Sequence, residues 1–315
     1  MQIEFTEEKD LQDLVDGLPQ LVGNTPLLPL NKIVQPLSPR VKIQAKAEWF
    51  NPSGSVKDRP ALNIILEALK SGELTREKHL LDSTSGNMGI AYATFGAALD
   101  IPVSLVLPAN ASQERIQILK ALGAELILTD PLEGTDGAIQ EAQDMADNEP
   151  ERYFYANQYD NPANWQAHYR TTGPEIFDQT RGEVTHFVAG LGTSGTLTGV
   201  ARYLRERLPE IEIVGVQPDG PFHGLEGLKH MDSAIQPAIY DPSLPDRVIH
   251  VTTEESYQMV NRLTREEGYF VGVSAGAAAA AVLKLGQELR QGNIVTIFPD
   301  AGFKYLSDEE LWEDA

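Results

Sequence analysis

Short apolar runs alternate with amphipathic helical patterns along most of this 315-residue chain, and that order leaves few folds open. Ile101–Leu107 reads as a buried strand, followed by a helix from Ser112 to Leu122. Glu125–Thr129 and a helix over Gly137–Ala146 repeat the unit. Thr185–Ala189 opens a second series, with Leu197, Val200, Ala201 and Leu204 on one face of the helix that follows. Ile211–Val216, Val248–Val251 and Ile294–Phe298 read as further strands. Strands joined by helices pair in parallel, and a parallel sheet apolar on both faces needs helices on both sides. The expectation is an α/β chain with doubly wound parallel sheets. In such folds ligands bind in the loops at the carboxyl ends of the strands. Asp219–Pro245, rich in Gly and Pro, is the longest irregular stretch and a candidate mobile loop.

Composition narrows the function classes. Hydrophobic content of 42% and charged content of 23% describe an ordinary globular protein. No apolar run approaches the roughly 18 residues of a membrane span. The acidic start, Met1-Gln-Ile-Glu-Phe-Thr-Glu-Glu-Lys-Asp10, does not read as a secretory signal, and a cytoplasmic setting is expected. Cysteine is absent, which removes disulfides, thiolate nucleophiles and Cys-based metal sites; no metal is expected. The net charge of −21 repels nucleic acid and anionic membranes, so any anionic ligand must be held by local donors.

Several loops carry such donors. In Asn51-Pro-Ser-Gly-Ser-Val-Lys57-Asp-Arg-Pro60, Lys57 follows a turn and precedes a helix start, where Pro60 costs little. Ala61, Ile64, Ile65, Ala68 and Leu69 give that helix one buried face. A lysine at the rim of a buried element loses solvation, which favours the neutral, nucleophilic amine. In Asp82-Ser-Thr-Ser-Gly-Asn-Met-Gly89, Thr84, Ser85 and Asn87 offer donors around Gly86. The loop could be a carboxylate nest or a capped helix start. Gly190-Leu-Gly192-Thr-Ser-Gly195-Thr196 opens a helix after a strand and suits a phosphate. It also satisfies the dinucleotide pattern G-x-G-x-x-G. That use wants an acid closing the next strand, where this chain has Gln217-Pro218 before Asp219. Ser274, in Val271-Gly-Val-Ser274-Ala-Gly276, could simply cap the alanine-rich helix after it. Asp300-Ala-Gly302 closes the last strand and could be a plain turn.

In combination the motifs are far more specific. Ser-Val-Lys57-Asp-Arg-Pro, then Thr84-Ser-Gly-Asn87, the Gly192–Thr196 loop and Val273-Ser-Ala-Gly276 form an order that resembles the cysteine synthases. These are pyridoxal-phosphate enzymes of the tryptophan synthase β type. Gly23-Asn-Thr-Pro-Leu27, Asn157-Gln-Tyr-Asp-Asn-Pro-Ala-Asn164 and Thr171-Thr-Gly-Pro-Glu175 are similar to the same family, and the likeness runs from about residue 18 to about 307.

The resemblance implies two doubly wound domains with pyridoxal 5′-phosphate in the cleft between them. Residues 51–160 would form the smaller, mobile domain, and 1–50 plus 161–315 the larger. Lys57 would be the Schiff-base anchor and then the α-proton base. Gly192, Thr193, Ser194, Gly195 and Thr196 would hold the phosphate, Asn87 the ring hydroxyl, and Ser274 would face the ring nitrogen. Thr84, Ser85, Met88 and Gln158 would line the substrate site. At residue 88 the family commonly has threonine, and a thioether cannot replace that donor. The implied reaction is β-replacement on an O-activated serine by sulfide, giving L-cysteine. O-acetylserine is favoured because the loop after Pro218 carries Asp219 where O-phosphoserine users are expected to carry an arginine. Leu228-Lys-His-Met-Asp232 nevertheless looks like that phosphoserine branch, and cystathionine β-synthases share the core. An O-phosphoserine sulfhydrylase or a cystathionine β-synthase-type reaction are the alternatives. The resemblance further implies a homodimer that could dock serine acetyltransferase. The acidic tail from Asp308 to Ala315 reads as a frayed end.

Overall fold

The computed structural model describes residues 16–84 and 86–312. In chain order the principal elements begin with β1 (Leu27–Pro29), β2 (Val41–Ala47), α1 (Asp58–Ser71), β3 (His79–Ser83) and α2 (Asn87–Leu99). Then come β4 (Val103–Pro108), α3 (Gln113–Ala121), β5 (Glu125–Thr129), α4 (Gly134–Asn148), β6 (Tyr153–Tyr155), α5 (Pro162–Arg170) and α6 (Thr172–Thr180). The last are β7 (His186–Gly190), α7 (Gly195–Arg207), β8 (Glu212–Pro218), β9 (Arg247–Val251), α8 (Thr253–Arg262), α9 (Val273–Glu288), β10 (Gly292–Phe298) and α10 (Glu309–Trp312).

The chain divides into two compact units. The described part of the first is residues 16–22, 51–53 and 57–164; the second holds residues 23–50, 54–56 and 165–312. The expected division kept residues 1–50 with the larger domain. The described part of that stretch splits after Val22 instead, because Val22 packs against the first unit's core.

The first unit is a four-stranded sheet in the order β5-β4-β3-β6, parallel throughout. Side chains along a strand point alternately to opposite faces. Leu80, Val103, Leu105 and Leu107 accordingly enter one core with α1 and α2. Leu81 and Val106 enter another with Ala138 and Ala142 of α4. Helix α1 buries Ala61, Ile64, Ile65, Ala68 and Leu69, the stripe legible in its sequence. It stops where Gly72, at φ 78°, returns its N–H to Leu69 O.

The second unit repeats the plan on a larger sheet, ordered β1-β2-β10-β7-β8-β9, with only β1 antiparallel. Val188, Val214, Val216, Ile294 and Phe298 face the core built by α8 and α9. Phe187, Ala189, Ile213, Val295 and Ile297 face the opposite core, with α6 and α7. Both sheets are therefore doubly wound.

Two expectations change. The stretch from Asp219 to Pro245 carries no helix or strand, yet it is pinned rather than loose. Leu225, Leu228 and Met231 are buried, and Lys229 donates its N–H to Leu191 O at 2.7 Å. The acidic tail is not frayed as far as it is described. Leu311 is fully buried, Asn261 donates to its carbonyl at 2.9 Å, and Trp312 Nε1 donates to Tyr305 O at 2.7 Å.

Candidate active site

Sheet order locates a cluster of donors in the first unit. From β3 the chain winds through β4 and β5 to one side, then returns to place β6 on the other. The carboxyl ends of β3 and β6 therefore flank a topological switch point, where doubly wound folds open a crevice. Thr84 follows β3 and Gln158 follows β6. Gln158 donates its side-chain amide to Ser83 O at 3.4 Å and its backbone N–H to Asp82 Oδ2 at 3.4 Å. Asn164 in turn donates to Gln158 O at 2.8 Å. Thr84 Oγ1 accepts from Gly86 N–H at 3.2 Å, and Asn87 begins α2. Thr84, Asn87 and Gln158 thus converge at one end of the sheet, with the α2 N-terminus supplying positive potential. Ser85 lies outside the described residues.

Met88, expected beside them, is 1% exposed and packs in the core that α2 shares with α1 and β4. Met88→Thr, which would supply the family's usual residue, is expected to destabilise the protein by about 2 kcal/mol or more. Apolar volume is lost and a hydroxyl enters a dry core. A thermal unfolding midpoint equal to the parent's would contradict this.

Lys57 occupies the N-cap of α1, in a helical conformation at φ −73° and ψ −15°, and is half-buried. Its carbonyl accepts from Ala61 N–H at 3.0 Å. On the other side, Asp58 accepts from Ser53 N–H at 2.7 Å and from the Ser53 hydroxyl, closing the Pro/Ser/Gly turn on the helix start. The backbone beneath the amine is thereby fixed from both directions.

The second unit carries a donor loop of its own. From β7 the sheet grows through β8 and β9 to one side and β10 to the other, so Gly190–Gly195 leaves β7 at a second switch point. The first backbone bond of α7 runs from Thr198 N–H to Ser194 O at 2.9 Å, so the N–H groups of Thr196 and Leu197 precede it. Ser194 sits at φ 66°, a left-handed conformation uncommon for serine, and its Oγ is buried without a partner. Gly192 has no room for a side chain: a Cβ there would stand 2.1 Å from Gly227 O. A tight, strained turn with an unpaired buried hydroxyl at a helix N-terminus has the donor set of a phosphate cradle. The donors fit the phosphate of pyridoxal phosphate. A dinucleotide fits less well. β8 closes with Gln217 and Pro218, and the Gln217 amide is committed to Met231 N–H at 3.2 Å and His250 Nε2 at 2.8 Å, so the position where a ribose-binding acid is wanted holds an occupied amide.

Ser274 stands in the first turn of α9, 7% exposed. Its position is set by Gly272, which donates to Asp300 O at 3.1 Å beyond the end of β10, the strand next to β7. Thus Asp300-Ala-Gly302, which by sequence could be a plain turn, seats the Ser274 helix. Gly272 must be glycine, since a Cβ would meet Asp300 Oδ1 at 2.1 Å.

Sequence reasoning passed over two buried polar groups beside these loops. Asp82 is the one carboxylate in β3, next to Leu80 and Leu81, and burial lifts its pKa from 3.8 to about 7. The N–H groups of Ser83 and Gln158 offset part of that rise. The nearby Tyr92 hydroxyl also offsets part of it. His168, 1% exposed, touches Thr196 through Nε2 at 3.2 Å. Its spacing of four from Thr172 on a helical stretch was the available signal. Among the described residues no cluster of His, Cys, Asp or Glu could hold a metal, and no helix is long and apolar enough to cross a membrane.

Comparison with known proteins agrees with this geometry. Residues 18–300 match the family described as pyridoxal-phosphate dependent enzyme. A cysteine synthase of Aquifex aeolicus (strain VF5) is 53% identical over 293 residues, covering 91% of this chain and 90% of that protein. The crystal structure of a cysteine synthase from Entamoeba histolytica superposes with a TM-score of 0.90 at 36% identity, covering 99% of this chain and 94% of that one. An O-acetylserine dependent cystathionine β-synthase from Helicobacter pylori gives 0.86 at 35% identity, with 98% of each chain covered. This chain belongs to the pyridoxal-phosphate dependent enzymes, within the cysteine synthase group.

Proposed function

We infer that the protein makes L-cysteine from an O-activated serine and sulfide by β-replacement, with O-acetylserine as the favoured donor and pyridoxal 5′-phosphate as cofactor. The observation that carries the reading is the match of nearly the whole chain to cysteine synthases. When bound, the cofactor withdraws electrons from the substrate Cα, so that the α-proton and then the β-substituent can leave. Lys57 is proposed to anchor the cofactor through its amine, to take the α-proton once the substrate displaces it, and to return that proton at the end. The hydroxyl of Thr84, the adjoining Ser85 and the Gln158 amide would hold the substrate carboxylate. Gly192–Thr196 would hold the cofactor phosphate and Asn87 the ring hydroxyl. Ser274 would face the ring nitrogen, where a neutral hydroxyl, unlike a carboxylate, does not keep the nitrogen protonated.

The donor preference rests on charge. Asp219, exposed at the end of β8, would repel a phosphate ester, and Lys229 already donates from Nζ to Ile235 O at 3.4 Å. The second reading, thiol addition by homocysteine, is favoured by the likeness to the Helicobacter enzyme. Steady-state assays with O-acetylserine or O-phosphoserine plus sulfide, and with O-acetylserine or serine plus homocysteine, separate these readings. The expected result is the highest kcat/KM for O-acetylserine with sulfide. A clear preference for O-phosphoserine would overturn the donor assignment, and faster cystathionine formation would overturn the nucleophile. From the family resemblance, a cytoplasmic homodimer able to dock serine acetyltransferase is proposed with this function.

A further inference from the structure

The second unit brings three helices together behind the proposed phosphate loop. Helices α5 and α7 meet backbone to backbone at Gly199, where a Cβ would stand 2.2 Å from Trp165 O and 2.7 Å from His168 Cβ. Helix α6 closes on α7 at Gly173, which packs against the Tyr203 side chain, where a Cβ would stand 2.7 Å from Tyr203 Cβ. That closeness lets His168 of α5 reach Thr196, one turn before Gly199 on α7. Its Nε2 lies 3.2 Å from Thr196 Oγ1, and its Nδ1 lies 2.9 Å from Thr172 Oγ1. Thr172 and His168 are buried, whereas Thr196 is half-buried at the mouth of the loop.

Hydrogen-bond polarity gives this chain a direction. A threonine hydroxyl has one proton. If the Thr196 proton is to point at an anion, its oxygen must accept from behind, and the group behind is His168 Nε2. A neutral imidazole that donates from Nε2 must accept at Nδ1, and there the Thr172 hydroxyl can donate. The order Thr172 O–H to Nδ1, Nε2–H to Thr196 Oγ1, Thr196 O–H to the anion satisfies every group in the relay. The reverse order turns the Thr196 proton away from the loop.

We propose that His168 is a positioning residue for the cofactor phosphate, holding the Thr196 hydroxyl with its proton directed into the Gly192–Thr196 loop. The proposal rests on the reading that this loop binds the phosphate.

The test is binding to apoenzyme prepared from the full chain, titrated with pyridoxal phosphate and, separately, with pyridoxal, which lacks the phosphate. His168→Phe is expected to weaken pyridoxal phosphate about tenfold and pyridoxal less than about twofold, the range for one hydrogen bond to a charged group. Thr196→Ala should produce a similar or larger selective loss, and the double variant should be little worse than Thr196→Ala. Should His168→Phe fail to fold, Thr172→Val decides. This near-isosteric change removes only the hydroxyl that sets the tautomer, and about a threefold selective loss is expected. Equal weakening of both ligands, or no selective loss in either variant, overturns the role of His168. A Thr196→Ala variant with unchanged selectivity would instead overturn the phosphate reading of the loop, so the two failures are distinct.

Discussion

Replacing Lys57 by alanine is expected to reduce cysteine formation by at least about 10³-fold, since one side chain serves both as covalent anchor and as proton-transfer group. The loss should be chemical rather than structural. Lys57 contributes its backbone carbonyl to α1, through the bond to Ala61, and that bond survives the substitution. The Ser53–Asp58 bonds that close the preceding turn also involve none of its side-chain atoms. Far-UV circular dichroism and the unfolding midpoint should therefore stay close to the parent's, while the absorbance band near the visible edge disappears. Lys57→Arg should fail equally, because guanidinium keeps the charge but supplies no neutral amine. More than a tenth of the parental rate in either variant would remove Lys57 from the mechanism.

Asp82 sets the second large effect, on stability rather than on rate. Its carboxyl titrates near 3.8 when exposed and near 7 in the folded protein, with burial as the first cause. Below about pH 4 the folded and unfolded chains both carry the proton, so the group contributes nothing. Between pH 4 and 7 the unfolded chain ionises while the folded one retains the proton, so rising pH favours unfolding. Above pH 7 both are ionised and the full cost, roughly 4 kcal/mol, is present. Asp82→Asn cannot titrate. Its stability relative to the parent should therefore improve as pH rises from 4 to 8, and most steeply below 7. The other groups facing Asp82 do not confuse the reading. Tyr92, Tyr155 and Tyr159 are pushed well above their ordinary range by burial and by the carboxylate itself, so they stay neutral throughout. Urea unfolding of both proteins at several pH values reads the difference. Parallel curves would mean that Asp82 is ionised at every pH tested and that its surroundings solvate it better than the fold suggests.

The placement of Asp82 also explains where sequence reading stops. In Leu80-Leu-Asp-Ser83 it looks like the first polar residue of a loop, yet it is the fourth residue of β3 and 1% exposed. Nothing local reports that burial. It arises because β4 and β6 flank β3 and Tyr92 lies over it. Lys46 presents the same case. The stretch Val41–Ala47 contains two lysines and a glutamine and was not among the expected strands. It is nevertheless an interior strand, between β1 and β10, and Lys46 is fully buried with Nζ 2.6 Å from both Glu175 Oε2 and Thr25 O. Its partners lie far away in sequence, so no window along the chain could show that the charge is compensated.

Residues whose meaning is local were legible. Apolar spacing marked α1 and the alternation marked the parallel sheets, because periodicity and strand–helix order are properties of neighbouring residues. The chemistry-bearing motifs are also confined to short windows of sequence. A glycine-rich turn entering a helix, or a lysine after a Pro/Ser/Gly turn, is a short-range arrangement with one useful geometry. Tertiary structure decided everything that depends on residues distant in sequence. It placed Thr84 and Gln158 at the switch between β3 and β6, packed Met88 in a core, and pressed Gly227 against Gly192. It also aimed His168 at Thr196. Each of these follows from which strands and helices become neighbours, and that is settled by burying two faces of each sheet at once rather than by any segment alone.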